Sequence, residues 1–182
     1  MESDLIEKSK ELYNENVKSK TLKRHCLEVA AIMREMASVL EKDEDEWYYT
    51  GLLHDLDYDE IKDPKTHGLK TAEILKKENY PEEMINAILA HNENNGNKRK
   101  TELDYFLSSA DNISGLIHAY ALMRGGILGM KTKGLKKKMK SKAFAASINR
   151  ELITDIEKFM DLNKFIEMSI KGMGKIEKDT TL

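Results

Sequence analysis

Proline occupies only two of the 182 positions, Pro64 and Pro81, and no alternating apolar–polar run of useful length appears anywhere in the chain. Proline is the strongest internal breaker of a helix, and strict alternation is the mark of a half-buried strand. A chain poor in both is confined to folding as helix after helix. The clearest stretch is 20–41, where Leu22, Cys26, Val29, Ala30, Met33, Ala37 and Leu40 follow the 3.6-residue period. The fold class expected is all-α, a compact multi-helix bundle.

Local signals set the punctuation. A short amphipathic segment covers about 2–15. The charged turn Glu41–Glu46 leads into a helix whose first turn is acidic, as the helix macrodipole favours. Asp57–Asp63 reads as an acidic loop, after which Pro64, with Thr66 as N-cap, opens a helix at His67. Tyr80-Pro81-Glu82-Glu83 restarts a helix, with proline near its first position. Asn92–Asn97 breaks the chain, with Gly96 free to take positive φ. Thr101-Glu102-Leu103-Asp104 resembles a capping box, and Gly125-Gly126 ends or bends the helix that follows. Lys131–Lys142 reads as a solvated, lysine-rich connector. A last amphipathic helix over about 143–161 uses Phe144, Ile148, Leu152, Ile156 and Phe159, with a short helix after it and a fraying polar tail at 175–182.

The length suits one domain, 1–182, with a core at about 20–125 and C-terminal helices at 135–172 packing on it. A net charge of −2 gives no case for a stable nucleic-acid partner or a membrane surface. The lone Cys26 excludes an intramolecular disulfide and a cysteine zinc cluster, which fits a reducing cytoplasm. Neither a signal peptide nor a run of about 18 apolar residues is visible, so no membrane span is expected. An apolar helix face leaves a homodimer open.

The chemistry lies in an ordered series of imidazoles and carboxylates. All five histidines fall between positions 25 and 118, and His54-Asp55 is flanked by His25, His67 and His91, with Asp111 further on. These donors suit Fe, Mn, Co, Ni, Zn or Mg and hydrolytic metal chemistry. His25 borders the apolar stripe of its helix. Trp47, Gly51, His54 and Asp55 stand at i, i+4, i+7 and i+8 and share a face, where Gly51 lets another backbone approach. Adjacent helical residues point about 100° apart. His54 and Asp55 therefore meet one metal only at the end of the helix, or if Asp55 reaches across. A carboxylate can bridge two metals, which makes Asp55 the bridging candidate. Met84, Ile88 and His91 share a face, and Asp111 lies on the inward face of its helix, where an acid is costly unless paired or metal-bound.

In order and context, Gly51-Leu52-Leu53-His54-Asp55, Thr66-His67-Gly68, Ala87–Asn92 and Ser109-Ala110-Asp111-Asn112 resemble the HD superfamily of metal-dependent phosphohydrolases. The closest likeness is to small stand-alone predicted hydrolases of the HDIG type. The resemblance implies an HD-domain bundle with one or two divalent metals between its helices. It places a first metal on His25, His54, Asp55 and Asp111, and a second on His67 and His91 with Asp55 bridging. His54 and Asp55 are the implied catalytic pair. The implied activity is hydrolysis of a small phosphate ester, a nucleotide or related phosphomonoester or diester, by metal-activated hydroxide. The Gly-Tyr-Pro triplet of the cyclic-di-GMP phosphodiesterases is absent.

Further positions carry two readings each. His118, two turns after Asp111, is a candidate substrate contact or a packing histidine. Arg150 is a candidate phosphate contact or a salt-bridged surface arginine. The lysine run is a connector or an electropositive rim that draws in substrate. One of Asp57, Asp59 and Glu60, and Asn92 or Glu93 beside His91, are candidates for supporting the ligands. Two other functions use the same fold: a di-iron HD-type oxygenase, which needs the same ligands, and a non-catalytic module that binds a nucleotide or metal.

Overall fold

The computed structural model describes residues 2–179, and the side chains of residues 5–176. In chain order the helices are α1 (Glu2–Asn16), α2 (Lys20–Leu40), α3 (Glu44–Leu53), α4 (Leu69–Lys77), α5 (Glu82–His91), α6 (Glu102–Arg124), α7 (Thr132–Met139), α8 (Arg150–Thr154) and α9 (Leu162–Asp179). Short 3-10 turns occupy Pro64–Thr66, Glu93–Asn95 and Asp155–Lys158, and there is no strand among the described residues. None of the described helices is long and apolar enough to cross a membrane.

The bundle is laid around α2 and α6. Helix α2 packs against α3, α6 and α9, and α6 also receives α5 and α8. The stripe read from the sequence is the buried face of α2: Cys26, Val29, Ala30, Met33 and Ala37 are fully enclosed. Close approach depends on small residues. A Cβ on Gly51 would stand 2.8 Å from the Ala30 Cα, and one on Gly172 would stand 2.7 Å from the Ala31 carbonyl oxygen. Glycine at these points lets α3 and α9 lie directly on the backbone of α2.

The caps follow local chemistry. Asp43 accepts the N–H groups of Asp45 and Glu46 to open α3. Thr101 and Asp104 form the reciprocal capping box of α6. Helix α6 ends at Gly125 with φ of 78°, and Gly96 takes a φ of 83° at the break after α5.

Four segments differ from the sequence expectation. Residues 64–66 form a 3-10 turn capped by Asp63, so Thr66 is no N-cap; α4 starts at Leu69, after Gly68 with φ of 86°. The lysine-rich connector contains helix α7, which buries Leu135 and is tied to Asn163 by Lys136. Residues 143–161 form no single helix. The chain turns through 141–149, then forms α8 and a 3-10 turn. The cause is Arg150, whose guanidinium gathers the carbonyls of Ala145 (2.7 Å), Ile148 (2.6 Å) and Phe144, with that of Ser141 at 3.4 Å. Finally, α9 is eighteen residues long and continues past Lys175 to Asp179. The remainder of the tail expected to fray, residues 180–182, lies outside the described residues.

Candidate metal centre

Five segments bring the series together. His25 comes from the second turn of α2, His54 and Asp55 follow the last residue of α3, His67 precedes α4, His91 ends α5, and Asp111 sits in mid-α6. His54 is the C-cap residue of α3, so the adjacent pair stands at a helix end, where both side chains reach one centre. Gly68 turns the chain between His67 and α4. A Cβ there would crowd the Ile88 carbonyl at 3.1 Å, and its absence lets the His67 and His91 rings meet edge-on with centroids 4.7 Å apart.

Asp55 is the hub. Donor atoms of His25, His54 and Asp55 lie within 4.8 Å of one another, and so do those of Asp55, His67 and His91. Two potential ligand groups thus share one carboxylate. Asp111 joins through His25, with its Oδ1 3.0 Å from His25 Nε2 and 3.9 Å from His54 Nε2.

The outer nitrogens of the rings are all engaged. His54 Nδ1 donates to the Gly51 carbonyl at 2.7 Å and His91 Nδ1 to the Ile88 carbonyl at 2.5 Å. A carbonyl can only accept, so in the neutral rings the proton is on Nδ1 and the Nε2 lone pair faces inward. His67 Nδ1 meets Asp57 Oδ1 at 2.8 Å, and His25 Nδ1 lies 3.3 Å from Ser114 Oγ. Supporting contacts of this kind orient metal-binding imidazoles.

The centre of the cluster lacks internal partners. His54 Nε2 and Asp55 Oδ1 are buried without a hydrogen bond. His67 Nε2 is 3.0 Å from Asp55 Oδ1 and 2.9 Å from His91 Nε2. Complete burial holds His54 neutral, with its pKa down at about 4. At His25 and His67 burial also opposes charge, yet hydrogen bonds and the negative charge of Asp111, Asp55 and Asp57 prevail. These raise His25 to about 9 and His67 to about 10. Burial opposes the charge on Asp55 and Asp111 as well, but the surrounding imidazoles keep both carboxyls below their ordinary value. The cluster therefore favours positive charge at its middle and offers unpaired inward donors. Both properties fit a divalent cation, and neutral imidazole with carboxylate is a suitable donor set for one.

Of the candidates for supporting the ligands, Asp57 and Asn92 touch the His67 segment, and Asn95, which the sequence did not single out, joins them. Asp57 is 1% exposed, and its Oδ2 accepts the N–H of Gly68 (2.8 Å) and Thr71 (3.2 Å) while Oδ1 holds His67. Of the three acids considered, Asp59 instead accepts the backbone N–H groups of Lys18 and Ser19, and Glu60 pairs with Lys70 at the surface. The signal that distinguishes Asp57 is α4 itself. A helix opened by glycine has no capping side chain, so its free N–H groups need an acceptor from elsewhere. Asn92 Nδ2 donates to the carbonyls of Pro64 and His67, and Asn95 Nδ2 to those of Leu89 and His67, which ties the end of α5 to the His67 segment.

Two candidate substrate contacts lie elsewhere. His118 hydrogen-bonds Glu28 at 3.0 Å and lines a separate depression with Arg24. Arg150 is committed to the 141–149 carbonyls, and neither residue lines the cavity over the cluster. Lys133, Lys136, Lys137 and Lys140 border another depression, beside Asn163 and Glu167, and no lysine of 131–142 lines this cavity.

Residues 22–116 match the HD domain family. Proteins named Ribonuclease Y are similar over part of their length. The one from Lawsonia intracellularis is 37% identical over 93 residues, which is 50% of this chain and 18% of the relative. That from Nitratidesulfovibrio vulgaris is 38% identical over 101 residues, 53% of this chain and 18% of the relative. This chain thus spans under a fifth of the length of the curated relatives it matches. No solved structure matches.

Proposed function

The chain belongs to the HD domain family, and on that premise we infer that it is a metal-dependent phosphohydrolase of small phosphate esters, nucleotides or related mono- and diesters. The observation that carries this reading is the pair of ligand groups sharing Asp55, with His54 Nε2 and Asp55 Oδ1 buried and unpartnered. His25, His54, Asp55 and Asp111 would hold one metal, and His67 and His91, with Asp55, a second. Metals held there supply a water acidified toward neutrality and positive charge for the phosphoryl oxygens.

The chain's own groups do the rest. The Gly51 and Ile88 carbonyls fix the Nδ1 protons of His54 and His91, so that their Nε2 atoms face the centre without a preparatory proton shift. Asp57 holds His67 from behind. The apolar walls of α2, α3 and α5 keep bulk water from the inner face of the cluster, where His54 has no exposure. The relatives' name, Ribonuclease Y, brings a ribonucleotide phosphodiester into the class to be assayed.

The test is phosphate or nucleoside release by protein loaded with Mn, Fe or Co, against a panel of nucleotides, dinucleotides and simple phosphate esters. Turnover that is lost in His91→Ala supports the reading. No turnover across the panel, with an unrelated phosphohydrolase active in parallel, overturns it.

A further inference from the structure

The cavity over the cluster has a volume of about 670 Å³, a size suited to a small-molecule ligand. Among the described residues its lining includes no lysine and no arginine, in a chain that has 30 of them. The carboxylates of Asp59 and Glu93 do line it. The arginines near its walls in the chain are engaged: Arg24 faces the separate depression beside Glu28, Arg99 pairs with Glu93 and Asp155, and Arg150 with main-chain carbonyls. Among the described lining residues, side-chain positive charge is thus available only from the histidines of the floor.

The outer wall is neutral and fixed. Ile148 lies over Gly115, where a Cβ would come within 2.8 Å of its Cδ1. The Asn149 N–H donates to Asn112 Oδ1 at 3.1 Å, and its Nδ2 to Glu93 Oε2 at 3.0 Å. Tyr58, half-exposed, lines the cavity too and meets the His67 ring edge-on at 5.2 Å. Ser147, Ile148 and Asn149 lie beyond residues 22–116, so this wall is added to the part shared with the family.

Charge then decides what fits. Sites that hold a chain of phosphates surround it with lysine, arginine or arrays of backbone N–H groups. Here a second or third phosphate would leave the floor and meet neutral side chains and two exposed carboxylates, Asp59 and the Arg99-paired Glu93, with no lysine or arginine of the described lining to offset its charge. Resting on the phosphohydrolase reading, we propose that the cavity selects substrates with a single phosphate. Such a substrate is a nucleoside monophosphate, or a diester joining two uncharged groups, with its uncharged part against Tyr58 and the Ser147–Asn149 wall.

Binding of the slowly hydrolysed thiophosphate analogues of AMP, ADP and ATP to Mn-loaded protein, measured by calorimetry at constant free Mn, tests this. The AMP analogue is expected to bind at least about tenfold more tightly than the ATP analogue. An ATP analogue that binds equally or better, or no binding by any of the three, overturns the proposal. Ser147→Arg is a second variant. The position is exposed, so the fold is retained, and a cation on the wall is expected to narrow the gap to about threefold or less. An unchanged gap overturns the electrostatic explanation. Phosphate release from the parent nucleotides separates the two conclusions. The expected binding order without turnover leaves the selectivity standing and removes the hydrolase reading. Equal turnover of ATP and AMP does the reverse.

Discussion

Asp57 stands behind His67, with its Oδ1 2.8 Å from the ring's Nδ1. The same carboxylate caps α4 through the N–H groups of Gly68 and Thr71, so one side chain sets both the ring and the helix that follows it. Asp57→Asn keeps the shape but removes the charge. Metal affinity is expected to fall by roughly 10–100-fold, the usual effect of losing such a partner. Metal titration of the apo-protein followed by circular dichroism and elemental analysis checks this. Unchanged affinity would mean that His67 needs no support from Asp57.

Sharing of Asp55 between the two ligand groups makes a distinction among single variants. Asp55→Ala is expected to lose metal from both groups, whereas His91→Ala should lose it from one only. Elemental mass spectrometry of untagged protein counts the ions per chain. Equal losses in the two variants would count against two groups joined at Asp55.

The contact of Gly51 with the Ala30 backbone predicts a packing penalty. Gly51→Ala would place a methyl group 2.8–2.9 Å from the backbone Cα and N of Ala30, and a backbone cannot step aside as a flexible side chain does. The expected cost is about 2–3 kcal/mol in denaturant unfolding, as for other overpacked contacts. Because α3 carries His54 and Asp55 at its end, weaker metal binding should accompany it.

Glu35 gives a pH dependence away from the cluster. It is almost fully buried on α2 and receives Lys171 and Lys175 from α9. Burial opposes its charge, but the two ammonium groups prevail and lower its pKa from the ordinary 4.5. A carboxylate lowered in the folded state contributes stability that is present above pH 4.5 and is lost as pH falls through the folded value. Both lysine side chains are more than half exposed, so screening keeps the effect to roughly 1 kcal/mol. Glu35→Gln should flatten the acid limb of the stability profile below pH 4.5, as read by thermal melts across pH. An unaltered limb would count against the pair.

Arg150→Lys tests the turn at 141–149. A lysine keeps the charge but cannot reach four carbonyls at once with a planar fork. Faster cleavage within 141–149 in limited proteolysis is expected, with the helix content of the bundle unchanged. Equal resistance to cleavage would show that the turn holds without the guanidinium.

Much of this was legible where a local rule and the tertiary structure agree. The α2 stripe, the acidic first turn of α3, the Thr101 capping box, the Pro81 restart and the Gly125 stop each depend on residues within one or two turns. Gly51 could be read as a point of close approach because its helix needed a small residue on the face of His54. Reading failed where the cause is distant. The turn of 141–149 is set by a guanidinium bonding to carbonyls, so Phe144 and Ile148 kept a helical spacing the backbone does not follow. Helix α7 was hidden by its lysines, since it buries one leucine and leans on Asn163 of α9. Asp57 could not be told from Asp59 and Glu60 until the uncapped start of α4 lay beside it. The convergence of five segments at Asp55 was suggested by the order of ligands and their family resemblance, since periodicity shows which way each helix faces but not which helices meet.

Arg150 bonds to main-chain oxygens, and every residue type has one. The path of 141–149 is therefore indifferent to most of the side chains strung along it. On the cavity floor, by contrast, each imidazole and carboxylate brings a donor atom of its own to the two groups at Asp55. The wall opposite keeps its course while its surface is rewritten, so exchange of a single residue such as Ser147 changes what the wall presents to the cavity without rebuilding the helices beneath.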